Sequence, residues 1–166
     1  MSAANKALVQ RYFDEILNER NLGVCDEILA KAYVEHEVPP FGRGAPGKVD
    51  GPATLRQNAQ ALFDQIPDLK VVVEDVVAEG DRVAARVVAE GTTRAVEGHP
   101  LGGKHFVSGQ MHWFRVSSNK LAEHWVLRDD LAAMLQLYGV RPPAADATPA
   151  APRARAAKAA KSSKAR

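Results

Sequence analysis

The sequence predicts an α+β fold in which amphipathic helices come first and a mainly antiparallel sheet follows. In the first third of the chain, apolar residues recur every three or four positions, which is the spacing of an amphipathic helix. From Leu69 the chain becomes rich in valine and contains short turn signals, as strands joined into hairpins do. Helices that precede the strands, rather than alternate with them, favour α+β over α/β architecture.

Three helices are expected before the sheet. The first has an apolar face made of Leu8, Val9, Tyr12, Phe13, Ile16 and Leu17. Residues 18–21 break this helix, and a second, short helix over 24–29 leads into an extended segment at 33–38. The third helix begins near Pro52, whose missing N–H is harmless in a first turn, and it ends at Pro67. Its apolar stripe consists of Leu55, Ala59, Leu62, Phe63 and Ile66.

The segment 39–52, PPFGRGAPGKVDGP, joins the second helix to the third. It contains too much proline and glycine for regular structure. We expect a loop there, and a candidate lid.

The predicted sheet has about four main strands. Two long antiparallel strands turn at residues 79–81, Glu-Gly-Asp, and a glycine-rich link over 97–105 precedes a second hairpin. That hairpin turns at Ser118-Asn119, because asparagine tolerates the positive φ that a two-residue turn demands. A helical turn over 131–138 closes the domain.

Counting back from the turn gives the register of this last hairpin. If Ser117 faces Lys120, His112 lies opposite Trp125 and Ser108 lies opposite Asp129. Side chains alternate between faces, so one face collects Ser108, Gln110, His112, Trp125 and Asp129. The other face collects Met111, Trp113, Arg115, His124, Val126 and Arg128. A shift of one residue would scramble this grouping. The polar face indicates either a lined pocket or a buried hydrogen-bond network.

Composition divides the chain into a domain over residues 1–142 and a tail over 143–166. With 166 residues, 46% hydrophobic and 25% charged, the chain is expected to form one globular domain. The tail has six basic residues after Ala144 against Asp146, a net charge of +5, which leaves −3 for the rest of a chain whose total is +2. It is expected to be disordered, either simply solvated or in weak nonspecific contact with nucleic acid or an acidic partner.

Several function classes find no support in the sequence. There is no apolar run of about 18 residues, so no membrane segment is expected, and the polar N-terminus and single Cys25 favour a cytoplasmic protein. Nucleotide-binding glycine motifs and the serine-hydrolase elbow are absent. Spaced metal-ligand motifs are absent too, so we expect neither a metal nor a cofactor.

The segment EHWVLRDDLAAMLQL, 123–137, resembles the closing segment of SnoaL-like polyketide cyclases and ester cyclases. In that family Glu-His-Trp is followed by an Asp and then by a Gln-Leu pair. Gln110 and His112 on the preceding strand match the family's hydrogen-bonding residues, and His36 resembles a His or Asn that follows the second helix. The resemblance runs from about residue 5 to 139. It departs from the family at Leu127 and Arg128, where an aromatic is common, and at Tyr138, which replaces a glycine.

The resemblance implies a cone-shaped fold of the nuclear transport factor 2-like type, with helices over a curved sheet that encloses a cavity. It also implies a cofactor-independent cyclase that acts on a small hydrophobic carbonyl compound. Asp129 would be the acid/base, with His112 and Gln110 steadying the enolate. The residues expected to bind the substrate are His36, Trp125, Tyr12, Phe13, Ser108 and Phe63. Many relatives dimerise through the outer sheet face, which would carry Met111, Trp113 and Val126 here.

The same residues also fit other roles. Asp129 is also a suitable N-cap for the terminal helix, and His112 would serve equally as a buried structural histidine. The cavity would also suit a ligand-binding protein without catalytic activity. Tyr12 keeps a steroid-isomerase-like mechanism possible.

Overall fold

The structure is a computed structural model that describes residues 2–36, 48–49, 51–98 and 100–140. Six strands in these ranges form one sheet, and they are β1 (Leu29–Glu35), β2 (Lys48–Val49), β3 (Lys70–Glu79), β4 (Arg82–Thr92), β5 (His105–Ser117) and β6 (Lys120–Arg128). Their order across the sheet is β2-β1-β6-β5-β4-β3. Neighbouring strands are antiparallel except β1 and β6, which run parallel. The four long strands are the predicted ones, and β1 and β2 extend the sheet beyond them.

The helices are α1 (Ser2–Arg11), α2 (Val24–Ile28), α3 (Gly51–Gln65) and α4 (Asp130–Tyr138). The order of helices before the main sheet confirms the predicted α+β class. No helix in the described ranges is long and apolar enough to cross a membrane. The candidate lid over 39–52 falls largely outside the described residues, and the tail over 143–166 lies wholly outside them.

The first helix changes character at Tyr12, where α1 continues as a π-helix over Tyr12–Asn18. The sequence predicts this helix but not its widening. Its apolar residues come in pairs that are four residues apart, at 8/9, 12/13 and 16/17. Because an ordinary α-helix has 3.6 residues per turn, successive pairs would drift around its surface. Wider i→i+5 turns reduce the drift, so both Tyr12 and Phe13 are buried on the side that faces the sheet.

The core fills the space between the helices and the inner face of the sheet. Its fully buried large side chains include Phe13, Ile16, Tyr33, Ile66, Phe114 and Leu121. The predicted stripe of α3 is confirmed, because Leu55, Ala59 and Phe63 are buried.

The β5–β6 hairpin turns as predicted but does not keep the predicted register. Ser118 and Asn119 have φ values of 50° and 58°, which is the geometry of a type I′ turn. Ser117 pairs with Lys120 and residue 116 with 121, as counted, but Arg115 then pairs with Glu123. Residue 122 is therefore an extra residue, a β-bulge, in β6.

Beyond the bulge every residue of β6 is shifted by one position. His112 pairs with Val126 and not with Trp125, and Gln110 pairs with Arg128. The predicted faces are therefore wrong for β6, although those of β5 are right. Inward-facing positions of β6 are those of His124, Val126 and Arg128. Trp125 pairs with Trp113 on the outer face.

Candidate active site

A cavity of about 230 Å³ lies between α3, α4, the π-helical segment and the inner face of the sheet. Most of its wall is apolar, and α3 contributes Leu55, Ala59 and Leu62. Polar side chains enter the wall from β1, β5 and β6. An apolar cavity of about 150 Å³ is enough for benzene, so this one accommodates a compact bicyclic molecule.

Four wall residues on three adjacent strands form one hydrogen-bonded chain. Glu35 Oε2 lies 2.8 Å from His124 Nδ1, and His124 Nε2 lies 2.8 Å from His112 Nδ1. His112 Nε2 lies 2.9 Å from Gln110 Oε1. The bulge in β6 makes this chain possible, because it turns His124 inward, beside β1 and β5. We call these residues the Glu35–Gln110 chain.

Aromatic packing fixes both imidazole rings. The ring of Phe114 stacks on His124 with centroids 4.3 Å apart, and the edge of Phe13 meets His112 at 5.0 Å. Both histidines are buried, with 3% and 6% of their surface exposed. Tyr33 supports the other end, since its hydroxyl donates to Glu35 Oε2 at 3.0 Å. Rings held in this way keep the chain preorganised.

Burial, assisted by the neighbouring His124 and Arg128, holds the pKa of His112 well below its usual value. His112 is therefore neutral near pH 7. Burial disfavours the charged form of a phenol too, so it raises the pKa of Tyr12, and the neighbouring Glu35 raises it further. Tyr12 therefore keeps its proton and can act only as a neutral phenol.

The hydrogen bonds determine where protons sit along the Glu35–Gln110 chain. The amide oxygen of Gln110 can only accept, so Nε2 of His112 donates to it. Because His112 is neutral, its Nδ1 is unprotonated and accepts from Nε2 of His124. The hydrogen bond between His124 Nδ1 and Glu35 Oε2 completes the chain.

Two buried polar atoms of the wall have no hydrogen-bond partner among the described residues. They are Glu35 Oε1 and Ser108 Oγ. Buried polar groups are normally paired, so unpaired ones in a cavity wall are candidate contacts for a ligand. Glu35 supplies an acceptor and Ser108 supplies a donor.

Asp129 does not share this wall. It is exposed, and it caps α4, with Oδ1 accepting from the backbone N–H of Ala132 at 3.0 Å. Its own N–H donates to the carbonyl of Gly109. The predicted position of Asp129, beside His112 on the inner face, is therefore wrong, because the bulge shifts the strand before it. The capping role that the sequence left open is the one the structure shows.

Comparison with known proteins gives a family. The family profile described as SnoaL-like polyketide cyclase matches residues 7–137, most of the chain. The chain belongs to this SnoaL-like family. No curated protein matches it.

Several solved structures share the fold. IdmH, a proposed polyketide cyclase from Streptomyces antibioticus, is 27% identical with a TM-score of 0.70, over 80% of this chain and 97% of that one. A proposed polyketide cyclase from Acidithiobacillus ferrooxidans is 22% identical with a TM-score of 0.72, over 83% and 96%. AclR from Streptomyces galilaeus, a proposed hydroxylase, is 20% identical with a TM-score of 0.66, over 88% and 91%. These likenesses confirm the nuclear transport factor 2-like α+β fold.

The SnoaL-like resemblance predicts some wall residues correctly and misplaces others. Tyr12, Ser108, Gln110 and His112 line the described cavity. Phe13 lies behind the wall, where it packs on His112. Phe63 is a buried core residue, with the guanidinium of Arg20 5.0 Å above its ring.

His36 and Trp125, both predicted to bind substrate, meet each other away from the described cavity wall. Their rings stack 4.3 Å apart and 3° from parallel. His36 Nε2 also bonds Glu123 Oε2 at 2.8 Å, and Arg115 bonds the same carboxylate. This cluster is a cross-strand arrangement on the outer side of β5 and β6.

The wall residues that sequence reasoning missed include Glu35, His124 and Arg128. One signal was available. The register counted from the turn places Arg115 opposite Ala122, whereas a bulge places it opposite Glu123. The second arrangement is more favourable, because it pairs opposite charges across the hairpin. No group of three or more His, Cys, Asp or Glu side chains within the described ranges is arranged to hold a metal ion.

Proposed function

We propose that this SnoaL-like protein is a cofactor-independent acid–base enzyme that enolises a small apolar carbonyl compound as the first step of an aldol-type cyclisation. The observation that carries this proposal is the Glu35–Gln110 chain, which places a half-buried carboxylate and a half-buried amide in one largely apolar wall. The family membership supports a cyclase-like role. The geometry of the cavity supports the role proposed for each residue.

Glu35 is the proposed base. Oε2 is held by Tyr33 and His124, while Oε1 is buried and unpaired among the described residues. A carboxylate fixed through one oxygen offers the other to a substrate in a defined direction. In the enolisation step, the C–H bond beside the carbonyl breaks and its proton moves to Oε1. The electron pair forms the carbon–carbon double bond and shifts charge onto the carbonyl oxygen.

Gln110 is the proposed stabiliser of that oxygen. Its amide oxygen accepts from His112, which leaves the amide nitrogen to donate to an enolate in the cavity. Donors that are already oriented stabilise developing charge without reorganisation. His112 acts as a positioning residue, because its neutral ring orients the amide. The enolate carbon then attacks a second carbonyl, and Glu35 returns its proton to the new alkoxide.

An isomerase is the second candidate. It is favoured by Tyr12, a phenol of the cavity wall whose raised pKa keeps it protonated and therefore able to donate to an enolate. In that mechanism Glu35 would return the proton to a different carbon of the same substrate.

Deuterium exchange tests the shared enolisation step. The bicyclic ketone 2-tetralone is incubated with the protein in D₂O, and loss of its α-hydrogens is followed by proton NMR against a protein-free control. Glu35→Gln keeps the size and the contacts of the side chain but removes the base, so the rate above background should fall by roughly 10²–10⁴-fold. Exchange no faster than background with the unaltered protein would instead identify a ligand-binding protein without catalysis.

A further inference from the structure

Ser108 lines the cavity, and the enolisation step does not use its hydroxyl. Only 3% of the residue is exposed, and Oγ has no hydrogen-bond partner among the described residues. A buried hydroxyl normally finds a partner inside the protein, because burying it without one is unfavourable. Ser108 therefore offers a donor that a molecule in the cavity would satisfy.

The strand places this donor beside Gln110. Ser108 and Gln110 are successive inward residues of β5, so their Cα atoms are about 6.6 Å apart. Both side chains line the same cavity. Two donors in this arrangement suit a small molecule that presents two oxygen atoms to the strand.

The nearest neighbours of Ser108 within the sheet are apolar. Its cross-strand partner on β4 is Ala89, and the preceding inward residue of β5 is Phe106, and both are buried. A hydroxyl in such surroundings is a neutral donor, which suits a carbonyl oxygen. A hydrogen bond is also stronger electrostatically in an apolar interior than in water.

We propose that Ser108 is a further catalytic residue, whose hydroxyl binds the carbonyl oxygen that the enolate attacks. This inference rests on the proposed function, because it adds a residue to the ring closure that follows enolisation. In ring closure the enolate carbon bonds to the carbonyl carbon, and the π electron pair of that carbonyl moves onto its oxygen. The Ser108 hydroxyl donates to this oxygen as its negative charge develops, and Glu35 then returns its proton to the alkoxide.

Gln110 and Ser108 thus serve different steps of one reaction. Gln110 stabilises the enolate, whereas Ser108 stabilises the alkoxide that forms when the ring closes. Removing the Ser108 donor should slow ring closure, and more of the enolate should then return to the starting ketone. The balance between these two fates of the enolate is the property that Ser108 controls.

A triketone that closes to a bicyclic ketol reports both fates. The probe, 2-methyl-2-(3-oxobutyl)cyclohexane-1,3-dione, is incubated with the protein in D₂O, and a protein-free background is subtracted. Proton NMR measures deuterium in the terminal methyl group of the unreacted probe, which counts the enolates that return. The same spectra measure the ketol, which counts the enolates that close. The ratio of exchange to closure does not depend on how much of a variant is folded.

Variants assign this ratio to the hydroxyl. Ser108→Ala should raise the ratio by roughly 10²-fold, the effect of removing one oriented donor. Ser108→Cys keeps the shape of the side chain but supplies only a weak donor, so it should raise the ratio by a smaller factor. The matched control is Ser117→Ala, at an exposed serine at the end of the same strand, and its ratio should equal that of the unaltered protein.

The outcomes separate this inference from the proposed function. An unchanged ratio in Ser108→Ala, or in Ser108→Cys if the alanine variant does not fold, would overturn the inference alone. Exchange without any ketol from the unaltered protein would overturn it too, while leaving the enolisation step in place. If the unaltered protein exchanges neither the triketone nor 2-tetralone, the proposed function is wrong, and the inference is wrong with it.

Discussion

His124 Nε2 and His112 Nδ1 lie 2.8 Å apart in the interior of the sheet, and each ring bonds a further wall residue with its other nitrogen. Two imidazoles in direct contact cannot both be charged at low cost, so the contact requires at least one neutral ring. The lowered pKa of His112 identifies that ring. This pair joins Glu35, the proposed base, to Gln110, the proposed donor.

The low pKa of His112 should make the protein lose stability in mild acid. A histidine whose pKa is lower in the folded state binds more protons when unfolded, so stability is present above the unfolded value of 6.5 and is lost as the pH falls below it. Urea unfolding at pH 7.5 and pH 5.5 should therefore show a larger decrease for the unaltered protein than for His112→Gln. An identical pH dependence in both would contradict a neutral buried His112.

The register of β6 can be tested by cross-linking. Trp113 and Trp125 are direct partners, whereas the uninterrupted register would pair Trp113 with His124. Under mild oxidation, a variant carrying Trp113→Cys and Trp125→Cys should form a disulfide, because direct cross-strand neighbours have the required Cβ separation. The control, with Trp113→Cys and His124→Cys, should stay reduced in a peptide-mapping experiment. The reverse result would mean that β6 has no bulge.

The features that depend on neighbouring residues in the sequence are predictable from it. The helices, the type I′ turn at Ser118-Asn119 and the inward phase of β5 all follow from spacing and turn chemistry. The bulge at residue 122 does not, because one extra residue leaves the composition of β6 unchanged while it reverses the faces beyond it. The cavity wall is therefore half predictable: Gln110 and His112 line it as the sequence predicts, Asp129 does not, and Glu35 and His124 are the wall residues that the sequence does not indicate. Glu35 reaches the site through the parallel pairing of β1 with β6, a contact between residues far apart in sequence.

Gly91, a buried residue of β4, should not tolerate a larger side chain. A Cβ added there would collide with Cγ2 of Ile66 at the end of α3. Gly91→Ala should therefore lower the free energy of unfolding by about 1–3 kcal/mol, as overpacking in a core does. Gly109→Ala in the neighbouring strand is the control, since nothing lies within 4 Å of its added Cβ. Equal melting temperatures for the two variants would show that α3 moves away from β4 without loss.

We propose that the outer face of the sheet forms a homodimer contact. Met111, Trp113 and Leu127 are 46%, 47% and 76% exposed on that face, which is unusual for large apolar groups on one surface. Val126, which the sequence also assigned to this face, lines the cavity instead. Trp113→Glu should halve the mass in analytical ultracentrifugation if the unaltered protein is a dimer. Val96→Glu, at an exposed valine outside the strands, should not. A monomeric unaltered protein would exclude the dimer.

The most direct test of the account compares two carboxylates in the 2-tetralone exchange assay. Glu35 lies in the cavity wall beside His124, whereas Asp129 is an exposed helix cap that matches the family's motif. Glu35→Gln should reduce exchange by roughly 10²–10⁴-fold, and Asp129→Asn should leave it unchanged because asparagine retains the capping oxygen. If Asp129→Asn abolishes exchange while Glu35→Gln keeps it, Glu35 is not the base, and the catalytic role assigned to the Glu35–Gln110 chain is wrong.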